Sequence, residues 1–369
     1  MLLLVLVFAS SLLTSAEPKS APCAACNYNG QCTAGGGACA CYRGWAGSAC
    51  DALDLVPVNG TLGYQHVDDA TGQNVSSWGG SVLVDEDGLF HMYAAEMGLF
   101  CGINTWLSNS IVIHATSPDP TRVPFSRASV VQGAFAHEPI AARASTGEFV
   151  VFFSAVLPPN PLPVRGGQPC AGCANGISVA KCGTDSNRNA SVMLPTYMVY
   201  SENPDGPWTA PAMIPGTDVF ADSNFAPWIN ADGTLVALTR HQVWHAADWR
   251  NVTTYSVVGT WSDTGEDPFI WRDSNAVFHN IIHRGRPNTT GLHYYSLDGR
   301  QWTPAADAAY TSVVNFTDGS SVNLACRERP HIVLNAAGDP IALTNGAARI
   351  TCHAAGADDR SVTFLQVLK

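Results

Sequence analysis

Charge is scarce in this sequence: Asp, Glu, Lys and Arg make up 13% of 369 residues. Helix-rich proteins draw on Glu, Lys, Arg and Ala, so the shortage disfavours long helices. Basic residues are scarcer still, 19 against 30 acidic ones, and they form no run. That excludes the phosphate-neutralising surface that nucleic acid demands. Beyond the first residues no apolar stretch is long enough to cross a bilayer as a helix, so no membrane span is expected in the mature chain. The sequence also lacks the G-x-S-x-G elbow of serine hydrolases and the H-E-x-x-H pair of zinc proteases. No metal and no cofactor are expected.

What is present points to strands and turns. Gly numbers 33 and Pro 23. The start, "MLLLVLVFASSLLTSAEP", is an apolar run ending in small residues and reads as a secretory signal over residues 1–16, cleaved after Ala16. Two features agree with a secreted, extracellular protein. There are 12 Cys, an even number. Six Asn-x-Ser/Thr sequons occur, at Asn59, Asn74, Asn189, Asn251, Asn288 and Asn315, and are expected on glycosylated surface loops.

Six of the cysteines crowd into "CAACNYNGQCTAGGGACACYRGWAGSAC", Cys23 to Cys50. So short a stretch cannot hold itself together around an apolar core and must be stapled, with 15 pairings open to six cysteines. Its tail, C-x-C-x-x-G-W-x-G-x-x-C, resembles the epidermal growth factor-like module, which places such a unit at 21–52. The resemblance implies the pairs Cys23–Cys32, Cys26–Cys39 and Cys41–Cys50. The "KSAP" before Cys23 lacks the acids of a calcium-binding variant. This unit is expected to act as a spacer or to dock a protein partner.

After Asp54 one pattern returns five times: a polar cluster, an apolar strand, a Gly- or Asp-bearing turn and a second apolar strand. It reads "WGGSVLVDEDGLFHMYAAEM", "HEPIAARASTGEFVVFFSAV", "FAPWINADGTLVALTRH", "EDPFIWRDSNAVFHNIIHR" and "ERPHIVLNAAGDPIALTNG". Four copies carry a proline at what looks like one place, Pro139, Pro227, Pro268 and Pro330; a strand's first position tolerates the missing N–H. Five hairpins at such intervals, about 60 residues apart, predict an all-β, five-bladed β-propeller over 54–369. A long insertion after the second copy holds Cys170 and Cys173. With Cys101, Cys182, Cys326 and Cys352 they make an even set for bridges, Cys326–Cys352 among them.

In a propeller the innermost strands line the axis and their first residues surround one mouth. Acids far apart in sequence would meet there and shift one another's pKa, so that one carboxyl can serve as acid and another as base. On these short motifs the segment resembles the five-bladed propeller glycoside hydrolases, the group of arabinanases, xylosidases and invertases. The resemblance implies three catalytic acids. Glu138 of "HEP" would be the base or nucleophile. Asp267 of "EDP" would tune pKa and hold the sugar. Glu328 of "ERPH" would be the general acid. The family's first blade holds the base, whereas "SSWGG" here holds no acid, so the set falls one blade late. Glu138 also stands where the family has Asp, and Arg329 adjoins the proposed acid.

Around them, Trp78 and Trp228 are candidate stacking platforms, and His137, Asn224, Glu266, Arg329 and His331 candidate sugar contacts; Asp222 is an alternate for Asn224. The expected activity is acid/base hydrolysis of a carbohydrate or glycoconjugate, with inversion favoured. Inversion wants carboxyls about 6.5–9.5 Å apart, and retention about 5–5.5 Å. The other reading is a non-catalytic glycan-binding or adhesion protein that uses the same mouth.

Overall fold

The computed structural model describes residues 22–33, 38–60, 62–69, 71–133, 135–157, 173, 176–177, 194–218, 223–261, 265–285, 289–351 and 358–369. The leader, Asn189, Asn288, Cys170, Cys182, Cys352 and Asp222 lie outside them.

Five antiparallel sheets are arranged as the blades of a propeller. Their innermost strands are Ser77–Val84, Ala136–Arg143, Ala226–Ile229, Glu266–Arg272 and Cys326–Leu334. Each leads through a tight turn into a second strand, and the blade grows outward from there. Apolar side chains fill the joints between blades. Tyr93, Val112, Val151 and Phe153 pack in one cluster, and Phe152, Phe225, Trp244 and Trp249 in another.

The repeat is kept by its turns. The turn residue that enters left-handed φ comes eight positions after a fixed point: Gly88 after Gly80, Gly147 after Pro139, Gly233 after Phe225, Ala276 after Pro268, Gly338 after Pro330. The third proline is therefore out of register with the others. Phe225 holds the place assigned to Pro227, which lies two residues further along the strand, paired with Ala237.

The fifth blade is closed by chain from the other end of the sequence. Its strands Cys326–Leu334, Pro340–Ala348 and Ser361–Val367 are joined by the segment that precedes the first blade. Val56 N donates to Val367 O at 2.9 Å, and Gly63 bridges to Phe364. That segment continues as Tyr64–Gln65, parallel to the outer strand of blade one. Pairing early chain with late chain ties the ring shut.

The disulfide-rich module carries the bridges Cys23–Cys32, Cys26–Cys39 and Cys41–Cys50, the pairing implied above. A further bridge joins Cys101 to Cys173, and Cys326 is also disulfide-bonded. The module is packed into the propeller: Trp45, Cys26, Cys50 and Leu53 belong to the same buried cluster as Trp271, Ile281 and Tyr294 of blade four.

A comparison of two joints shows what the module replaces. In blade one, His91 Nε2 meets Asp85 at 3.0 Å and His91 Nδ1 meets His114 Nε2 at 2.9 Å. His114 Nδ1 then meets Asp205, from the outer turn of blade two, at 2.7 Å. Blade four repeats the pair in the same register, with His279 and His293 3.0 Å apart. Here the outer partner is Asn29 of the module, 3.4 Å from His293 Nδ1. Trp45 lies against His293 at 4.7 Å, much as Trp208 packs against Tyr93. The module thus stands where a neighbouring blade's turn would stand.

Candidate functional site

At the start of every inner strand one residue takes left-handed φ: Gly79 (67°), Glu138 (58°), Asn224 (46°), Asp267 (56°) and Arg329 (50°). In four of the five blades the strand pairing also breaks there, between Trp78 and Ser81, His137 and Ile140, Glu266 and Phe269, and Glu328 and His331. A bulge of this kind re-aims one side chain out of the pleat. The residue after it in three blades is proline, which has no N–H to leave unpaired where the ladder opens. Left-handed φ costs a residue with a Cβ about 1–2 kcal/mol, so four of them mark a constrained place.

The five positions meet at the axis. Arg329 Nη1 lies 2.7 Å from Glu138 Oε1 and 3.0 Å from Asp267 Oδ1. Asn224 Nδ2 donates to Glu138 Oε2 at 2.9 Å and to Asp267 Oδ1 at 2.8 Å. Arg240 Nε donates to Asn224 Oδ1 at 2.8 Å, which turns the amide nitrogen toward the carboxylates. Gly79 offers no side chain, and Arg329 fills the space: a Cβ at Gly79 would stand 3.1 Å from Arg329 Nε. The Arg329 side chain is 1% exposed, Asp267 6% and Glu138 9%, so the ring is largely withdrawn from water, with Glu138 its most open member.

Its electrostatics follow from that withdrawal. Burial would raise the Asp267 pKa, but Arg329, His283 and Arg240 outweigh it and hold the carboxyl well below the usual range. His283 Nδ1 lies 3.0 Å from Asp267 Oδ2. Burial works to lower the His283 pKa, yet the charge and hydrogen bond of Asp267, with Glu328 and Glu266, raise it. His331 goes the other way: burial, then Arg329, push it down to about 3, and it is neutral at pH 7.

Glu328 is buried, one residue before the ring position, and its carboxylate belongs to a cluster with Asp267 and His283 whose atoms all lie within 4.8 Å. Among the described residues this is the one such cluster outside the cysteines. Against the effect of burial, the carboxylates of Asp267, Glu328 and nearby Glu266 raise the His283 pKa, so the cluster favours a proton on the imidazole.

Among the proposed contacts, Glu266 reaches the rim, 30% exposed and paired with Arg240 at 2.9 Å. His137 is buried, bonded to Ser110 Oγ at 2.7 Å and packed against Trp106. His331 is enclosed against Phe269. Trp78 is no open platform: it is 5% exposed and lies against Gly346, where a Cβ would collide with its ring. Trp228 sits four residues down the strand from Asn224 and packs against the core. Arg240 and His283 escaped sequence reasoning. They hold one register position, each two residues past Leu238 and Ile281, which pair with Ala226 and Phe269. Second strands run back to the mouth where first strands begin, and that signal in "LTRH" and "IIHR" would have found both.

No protein-family model matches the chain, and no curated protein matches it in sequence. Solved structures do match in fold. An α-L-arabinofuranosidase of Podospora anserina, in complex with cellotriose, superimposes with a TM-score of 0.54 at 9% identity, over 84% of this chain and 95% of that one. A family 117 glycoside hydrolase of the marine bacterium Zobellia galactanivorans gives 0.51 at 13% identity, over 84% and 88%. A GH43 protein of Bacillus licheniformis gives 0.51 at 13%, over 80% of this chain and 53% of its own length, so this chain spans about half of it. The fold is the five-bladed propeller of glycoside hydrolases; at these identities the likeness carries the fold alone.

Proposed function

We propose that this protein recognises carbohydrate at the propeller mouth and that its central acids serve the fold in place of hydrolysis. The observation that carries this reading is Arg329 Nη1 between Glu138 and Asp267, at 2.7 and 3.0 Å. A general base must take a proton from water, and a nucleophile must reach an anomeric carbon. Glu138 instead has one oxygen on Arg329 and the other on Asn224, both held by donors of the ring itself. The groups open to a ligand are Glu266 and Arg240, 30% and 33% exposed, a hydrogen-bonding pair suited to sugar hydroxyls. The arabinofuranosidase neighbour, solved with cellotriose, uses the same architecture and supports carbohydrate as the ligand class.

A secreted setting goes with this proposal. The disulfides favour an oxidising compartment, the four described sequon asparagines, Asn59, Asn74, Asn251 and Asn315, are exposed, and no described helix is long and apolar enough to cross a membrane.

The second reading, an inverting hydrolase with Glu328 as acid, is favoured by the nearness of Glu328 to Asp267 and His283. A glycan array combined with aryl arabinofuranoside, xyloside and galactoside assays separates the two. Binding without turnover, weakened by Glu266→Gln and unchanged by Glu328→Gln, is expected. Turnover that Glu328→Gln abolishes would establish the hydrolase instead.

A further inference from the structure

A groove of about 270 Å³ lies where the disulfide-rich module meets blades four and five. It stands away from the acid ring: the strand Glu266–Arg272 begins at the ring and ends here, at Trp271. We propose that this groove is a second binding site, and that it takes a single pyranose sugar unit.

Its inner wall is aromatic and rigid. Trp271 and Trp45 are 3% and 7% exposed. Trp271 stacks on His279 at 5.1 Å and 18°, and Trp45 packs on His293. Tyr28 and Tyr42 of the module add two half-buried rings. Tyr28 is held in left-handed φ directly after Asn27, also left-handed, with its ring 5.0 Å from Tyr295. Trp271 and Trp45 form the buried floor, and the half-buried rings of Tyr28 and Tyr42 above it present the flat apolar faces that match the C–H face of a pyranose.

The remaining lining is polar. Asp273 and Asn275 come from the turn of blade four, and Arg43 from the module. Arg43 is exposed and makes no ion pair among the described residues, which leaves its guanidinium available to ring hydroxyls. Asp273 and Asp339 on the propeller side disfavour phosphate, and Arg43 on the module side disfavours a cation. A polyol with apolar faces satisfies all three conditions. The volume is below the roughly 300–1,000 Å³ of drug-sized pockets, in keeping with one sugar ring.

Saturation-transfer NMR on the full chain, with methyl galactoside, methyl glucoside, methyl xyloside and methyl mannoside as probes, tests the site. At least one probe should bind with millimolar affinity. Tyr42→Ala and Arg43→Ala, both outside the packed core, should each weaken it at least fivefold with an unchanged circular dichroism spectrum. Glu266→Gln should leave this binding intact, which separates the groove from the mouth. Saturation by none of the four probes, or binding that neither module variant alters, overturns the inference, whatever the mouth proves to bind.

Discussion

Arg329 lies across Gly79, so the guanidinium that neutralises two buried acids occupies the space of a side chain the first blade lacks. Gly79 is needed twice, for its left-handed φ and for that space. Gly79→Ala should therefore cost about 1–2 kcal/mol through backbone strain alone, with more from displacement of Arg329. Urea denaturation measures it; an unchanged midpoint would mean that the strand start is free to relax.

Removal of the cation should be costlier. Arg329→Met takes the guanidinium from between Glu138 and Asp267, leaving Asp267 only His283 and the more distant Arg240, and breaking a buried pair in this way costs about 3–5 kcal/mol. The loss should shrink as pH falls and the stranded carboxyls take up protons. A loss under about 1 kcal/mol at pH 7 would place the ring in water, where ion pairs contribute little.

The pH dependence has two arms. Asp267 is depressed in the folded state, so its contribution is present above its unfolded value of about 4 and is lost as pH falls through the lower folded value. His283 is raised, so its contribution is complete below about 6.5 and is lost as pH rises through its higher folded value. Denaturation profiles between about pH 3 and pH 9 should show His283→Gln without the alkaline decline. An identical slope in that variant would show that His283 does not titrate with folding.

The module should unfold together with the propeller. Trp45 is buried against His293 and shares the core of blade four. Trp45→Ala should cost about 3–5 kcal/mol and lower the melting temperature of the propeller itself, followed by the fluorescence of its own tryptophans. Two separate transitions, with the propeller's unmoved, would reduce the module to an appended bead.

Much of this was legible because it is local. Turn glycines, strand-start prolines and the cysteine spacing each act over a few residues, and they led to five blades and to Glu138, Asn224 and Asp267 as ring positions. The misplacement of Pro227 shows the limit of reading by residue type: a proline tolerated inside a short strand looked like the proline of the bulge, and only the distance to Gly233 tells them apart. Trp78 misled for another reason. Whether an aromatic at a strand start faces the mouth or the next blade depends on what that blade offers, and Gly346 offers a slot.

The sequence by itself determined the repeat, the all-β class and the crowding of acids near the strand starts, since each rests on contacts between residues close in the chain. Only the tertiary structure decided that Arg329 turns inward between two of those acids and that the module fills a blade joint. Both depend on which side chains remain opposite one another once the ring closes, and closure joins segments that the sequence holds farthest apart.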